Sequence, residues 1–146
     1  MKLKFLNILF IILATRIFSQ VSPDVIIGTW LTAAGTAKVH ISREGDKYSG
    51  KIAWLKNPLD ENGKAKVDKN NPDKMKKTIP LMDLNLLKNF EFDDGEWTNG
   101  TIYDPTNGKT YSCVIKYRNG KLDLRGYIGI SLIGRTQTWF KVADLK

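Results

Sequence analysis

Hydrophobic and polar positions alternate along this chain in short runs, each closed by turn-forming residues. Val39 and Ile41 alternate with Lys38, His40 and Ser42, the period of a half-buried strand. Leu122, Leu124, Gly126 and Ile128 alternate with Asp123, Arg125 and Tyr127 in the same way. The pattern predicts strands over 26–32, 36–43, 47–55, about 85–92, 96–103, 110–118, 121–128 and 135–142. Between them lie Glu44-Gly45-Asp46, Asp93-Asp94-Gly95, Asp104-Pro105-Thr106-Asn107-Gly108 and Asn119-Gly120. Pro fixes φ at a turn entrance, and Asn-Gly supplies the positive φ values that a hairpin needs. Period-two counting puts Tyr48, Gly50, Ile52 and Trp54 on one face of 47–55, and Arg135, Gln137 and Trp139 on one face of the last strand.

Two stretches break the rhythm. Residues 56–77 are rich in Asn, Pro, Asp, Gly and Lys and predict one long loop. In 78–92, Leu81, Leu84 and Leu87 have helical spacing, which predicts a short helical turn near 81–84 before the strand resumes. Short antiparallel neighbours with glycines in mid-strand favour closure into a ring, because a ring has no unpaired edge. The expected fold is therefore all-β: a small antiparallel up-and-down barrel of about eight strands, with one long loop and a short helical turn. A two-sheet sandwich is the competitor. A parallel α/β sheet is disfavoured, since few apolar runs are continuous.

The beginning of the chain stands apart from this pattern. Lys2 and Lys4 precede an apolar run from Phe5 to Ala14, and Phe18-Ser19-Gln20 follows. That is the layout of a signal peptide over 1–19, leaving 20–146 as a single domain in a secreted or periplasmic protein. The run is too short to span a bilayer comfortably, which takes about 20 residues. Without Lys2, Lys4 and Arg16 the net charge falls from +8 to +5, spread along the chain, so no nucleic-acid interface is expected.

Candidate chemistry is sparse. Cys113 is the only cysteine, so an internal disulfide is excluded and a buried packing thiol is expected. His40 is the only histidine, and no Cys/His metal spacing exists. Asp60-Glu61-Asn62-Gly63 fails the spacing of a calcium loop. Asp68, Asn70, Asn71 and Asp73 could gather around a hard cation or simply form Asx turns, and the expectation is the latter, with no metal and no cofactor. There is no glycine-rich phosphate loop and no Ser–His–carboxylate set, so no catalytic residue is assigned. An enzyme would need Asp104 or Asp123 in one cleft with Tyr or Arg.

The aromatic residues are more informative. Trp30, Trp54, Trp97 and Trp139 fall on four separate strands, joined by Tyr103, Tyr111 and Tyr127. They suit either a core or the wall of a small-molecule pocket. Arg135 beside Gln137 and Trp139 is odd for a core strand, because a buried Arg must be paired or stacked. It is expected to lie across an aromatic ring and close a barrel end. The candidate ligand-binding set is Trp30, Trp54, Tyr103, Asp104, Tyr127, Arg135, Gln137 and Trp139.

Gly28-x-Trp30 on the first strand, with a basic residue on the last, resembles the lipocalin signature, in which that residue packs over the Trp at one barrel end. Arg135 and Lys141 both qualify. More closely, the chain resembles the bacterial family DUF2147 from Gly28 to Val142. The resemblance rests on Gly28-Thr29-Trp30-Leu31-Thr32, Gly50-Lys51-Ile52-Ala53-Trp54-Leu55, Asn71-Pro72-Asp73, Gly100-Thr101-Ile102-Tyr103-Asp104-Pro105, Gly108-Lys109-Thr110-Tyr111, Arg125-Gly126-Tyr127-Ile128-Gly129 and Gly134-Arg135-Thr136-Gln137-Thr138-Trp139. Two departures are Asp83, where the family pattern has Gly, and Lys76-Lys77-Thr78, which replaces an Arg-rich stretch. The resemblance implies a small exported protein with a lipocalin-like barrel and no assigned activity. The expected function is non-enzymatic binding of a small apolar or amphipathic ligand. The alternative is an interaction module with a solid core, contacting partners through the Lys-rich 56–77 loop.

Overall fold

Every alternating run becomes a strand: β1 (Gly28–Leu31), β2 (Ala37–Glu44), β3 (Lys47–Leu55), β4 (Asn85–Asp93), β5 (Glu96–Asp104), β6 (Lys109–Arg118), β7 (Lys121–Tyr127) and β8 (Gly134–Lys141). The computed structural model describes residues 20–130 and 132–143; the leader expected over 1–19 lies outside them. Each strand pairs antiparallel with the next, and β1 returns to β8 through Trp30↔Lys141 and Leu31↔Phe140. The sheet is thus one closed barrel and not a pair of stacked sheets.

The connections divide by length between the two ends. At one end, here the floor, β2–β3, β4–β5 and β6–β7 are joined by two-residue turns. Asp94-Gly95 (φ 46° and 82°) and Asn119-Gly120 (φ 51° and 78°) both hold positive φ throughout, the type I′ geometry that matches strand twist. At the other end, the mouth, lie the longer connections 32–36, 56–84, 105–108 and 128–133.

A 3₁₀ turn, Pro23–Ile26, plugs the floor, and aromatic donors fasten it. Trp30 Nε1 donates to Ile26 O (2.8 Å) and Trp97 Nε1 to Pro23 O (3.2 Å). Tyr48 Oη and Arg43 Nη1 both donate to Asp24 Oδ1, at 2.7 and 2.9 Å. Those two donors hold the Asp24 carboxyl below its usual range. Burial, with Asp24 second, pushes the Tyr48 hydroxyl up to about 12. Above the plug the lower half of the barrel is solid: Trp30, Val39, Ile41, Tyr48, Phe90, Trp97, Ile115 and Leu122 are all buried. Cys113 is buried among them, as expected, and burial pushes its thiol up to about 12.

Of the two lipocalin-like candidates, Lys141 is the residue over Trp30, its Nζ 4.7 Å from the ring centre and 2.6 Å from Ile27 O. Arg135 does not close a barrel end; β8 runs from mouth to floor, which leaves Arg135 near the mouth and Lys141 at the floor. The helical turn expected near 81–84 is also corrected. Leu84 N bonds Leu81 O across a reverse turn with Asp83 at φ 65°, a conformation that explains a glycine preference there. Among the described residues the short helical segments are Pro23–Ile26 and Lys74–Lys76.

The long loop is ordered by its own Asx bonds and by a strap to the wall. Asp60 Oδ1 accepts from Asn62 N and Lys64 N, and Asp73 Oδ1 accepts from Met75 N. Asp68 is buried and accepts from Tyr103 Oη (2.8 Å) and Asn71 Nδ2 (2.7 Å). Asn70 Nδ2 donates to Pro105 O and Thr106 O on the β5–β6 connection.

Candidate ligand cavity

The upper half of the barrel is hollow. A cavity of about 1330 Å³ runs from Trp139 upward to the mouth. Its walls are inward positions of the strands, among them Ile52, Leu55, Leu86, Ile102 and Tyr111. Gly126 opens extra space in the β7 wall, since it contributes no side chain. Leu81 and Lys66 close over from the long loop, and Ile128, Leu132 and Ile133 stand at the rim.

Six of the eight residues expected from sequence line this space: Tyr103, Asp104, Tyr127, Arg135, Gln137 and Trp139. The face shared by Arg135, Gln137 and Trp139 is the lumen face of β8, climbing from floor to rim. Trp139 is buried and its Nε1 donates to Gln137 Oε1 (3.0 Å), which leaves the Gln137 amide NH₂ toward the cavity. Arg135 is exposed on the open lumen wall, and among the described residues its guanidinium has no hydrogen-bond or carboxylate partner. The stacking expected for it is absent because it is not buried; the mouth leaves it in water.

Tyr103 gives its ring to the wall and its hydroxyl to Asp68; burial, then that carboxylate, pushes the hydroxyl up to about 12. Asp104 lines the rim, but its Oδ1 accepts from Thr106 N (2.9 Å) and Thr106 Oγ1 (2.6 Å), so it chiefly shapes the turn. Asp123, the other carboxylate weighed for catalysis, lies on the outer face, accepting from Thr138 Oγ1 (2.7 Å). Among the described residues no three His, Cys, Asp or Glu side chains converge as metal ligands.

Trp30 and Trp54 do not line the cavity. Trp30 is packed beneath it in the solid floor. Trp54 is outside the barrel because β3 carries one extra residue. Val39 pairs with Ile52 but Lys38 pairs with Trp54, so Ala53 bulges and the next side chain changes face. Trp54 then meets Lys38, whose Nζ sits 5.0 Å from the ring centre. The aliphatic wall residues were not singled out from sequence, although their signal was present: each is an inward position near the mouth end of its strand.

The sequence matches the family described as "Uncharacterized protein conserved in bacteria (DUF2147)" over residues 28–141. Among solved structures, protein HP1028 of Helicobacter pylori, described as belonging to the lipocalin family, superposes with a TM-score of 0.69. It is 20% identical, over 82% of this chain and 84% of that one, which establishes a shared fold. No curated protein matches the sequence.

Proposed function

This chain belongs to the DUF2147 family of bacterial proteins, and from its lipocalin-like barrel we propose that it binds a small, amphipathic ligand without transforming it. The proposal includes export, supported by the Lys2/Lys4 start and the apolar run from Phe5 to Ala14. The observation that carries the binding proposal is the cavity itself. Its wall is aliphatic and aromatic, and an unpartnered guanidinium at Arg135 and the amide of Gln137 face into it. Apolar walls with a few converging polar groups are the usual makeup of a ligand site. An apolar body would rest on Ile52, Leu86, Ile102 and Trp139, and an anionic or hydrogen-bond-accepting head would lie toward Arg135. An interaction module acting through the 56–77 loop would sit more naturally on a solid core, and a hollow upper barrel favours the ligand.

The test is displacement of an anionic naphthalene sulfonate dye by dodecanoate, read by dye and tryptophan fluorescence. Gly126→Leu supplies the decisive comparison. A Cβ there meets only ordinary contacts, 3.5 Å from Ile102 and 3.6 Å from Tyr111, so the β-carbon fits, and the rest of a leucine should take up lumen space in a variant whose circular dichroism spectrum is unchanged. Saturable binding should weaken by about tenfold or more in Gly126→Leu, and Arg135→Gln should weaken dodecanoate more than dodecanol. Binding that ignores Gly126→Leu, or a folded protein that binds neither probe, overturns the proposal.

A further inference from the structure

The β7–β8 connection is apolar where a surface loop is normally polar. Ile128 (68% exposed), Ile130 (59%), Leu132 (84%) and Ile133 (76%) all stand in water, and no charged residue lies between Tyr127 and Arg135. Soluble proteins seldom display so many aliphatic side chains together unless something covers them. Two of these residues, Leu132 and Ile133, are tied down by bonds to their backbone. Arg125 Nη2 donates to Leu132 O (3.0 Å), and Ile133 N bonds Ile130 O (3.2 Å). At its exit a Cβ on Gly134 would lie 2.7 Å from Gly126 O, so the backbone there is packed tight.

The same end of the barrel is rich in cations. Lys56, Lys64, Lys69, Lys74, Lys76 and Lys77 are all exposed on the long loop. Against the seven lysines of 56–77, Lys66 included, stand four acids, Asp60, Glu61, Asp68 and Asp73, so the loop keeps a net positive charge; Asp68 is buried and Asp73 pairs with Lys76 (3.5 Å). Met75, 86% exposed, stands between Lys74 and Lys76 in the chain, a second apolar tip on the lysine-rich loop.

We infer that the mouth of the barrel docks on an anionic lipid bilayer, Ile128, Ile130, Leu132 and Ile133 entering the interface while the 56–77 lysines meet headgroup phosphates. Apolar tips beside clustered lysines are the chemistry such a surface takes up. A second copy of the chain fits poorly, because mouth-to-mouth contact would bring two lysine-rich rims together. The inference stands on exposed residues of the rim and does not require the cavity to be occupied.

Vesicle co-sedimentation tests it, using the chain from Gln20 onward, which holds the whole closed barrel and its core and omits the apolar leader. Binding to vesicles containing about one-third phosphatidylglycerol should exceed binding to pure phosphatidylcholine by about tenfold or more, and should fall with added salt. Leu132→Asp should reduce it by a similar factor with an unchanged circular dichroism spectrum and thermal midpoint. Leu132→Trp gives a positive readout, a blue-shifted emission on anionic vesicles. No preference for anionic vesicles, full binding by Leu132→Asp, or an unshifted Leu132→Trp emission overturns the inference. So does a dimer that Leu132→Asp dissolves in protein with no vesicle binding.

Discussion

Gly100 shows how far a single position can be committed. The ring of Phe90 lies flat on its bare Cα, and a Cβ would fall 2.3 Å from Phe90 Cγ. Phe90 is itself buried in the floor, so it has nowhere to go. Gly100→Ala should therefore cost about 2 kcal/mol of stability, read as a lower urea midpoint at unchanged slope. Gly100→Ala with Phe90→Leu should cost less than the sum of the two single changes, because the smaller side chain vacates the collision. Lys141 is a second such position, reached through its ammonium. Lys141→Ala removes the donor to Ile27 O and the cation above Trp30, with an expected loss of about 1 kcal/mol in the same assay. The sequence alone left Arg135 and Lys141 equal, since both are basic residues of one strand. What separates them is their height in the barrel, a quantity set by where β8 starts pairing with β7.

At the scale of elements, alternation and turn chemistry made the strands legible to within a residue or two. Asp94-Gly95 and Asn119-Gly120 mark hairpin turns in a local code that needs no tertiary information. What alternation could not reveal is a bulge. Counting by twos across 47–55 carries Trp54 inward, and the unpaired Ala53 turns it out again. The long loop was equally opaque, because its order depends on a partner from another element. Tyr103, in β5, supplies the hydroxyl that satisfies buried Asp68. Tyr103→Phe leaves that carboxylate short of a donor and should cost about 2 kcal/mol. The loosened loop should be cut by trypsin at its lysines several-fold faster than in the parent, while circular dichroism reports an intact barrel. The rim of 128–133 was readable as a connection, but its role was not. Four aliphatics in a connecting segment were a visible oddity whose meaning came from the closed barrel placing them at a mouth.

For the whole molecule, the two halves of the barrel predict its response to alkali. In the unfolded chain Tyr48 and Tyr103 ionise near 10.0 and Cys113 near 9.0; folded, all three hold their protons to about 12. Between those limits the folded chain binds more protons than the unfolded one, so stability falls as pH rises. The thermal midpoint should be level below about pH 8 with respect to these groups, then fall steadily from about pH 9 upward. Tyr48→Phe and Cys113→Ala should each flatten that decline, whatever they do to the midpoint at neutral pH.

The ring is also uneven around its circumference. β7 and β8 are zipped along their full length, whereas β1 meets β8 only at Trp30↔Lys141 and Leu31↔Phe140, with Val142 N to Thr29 O beyond them. That seam is the shortest stretch of pairing in the closed ring. It should part before any other line of the wall, so deuterium should reach the amides along β1 and the facing end of β8 well before those of Leu122 and Leu124.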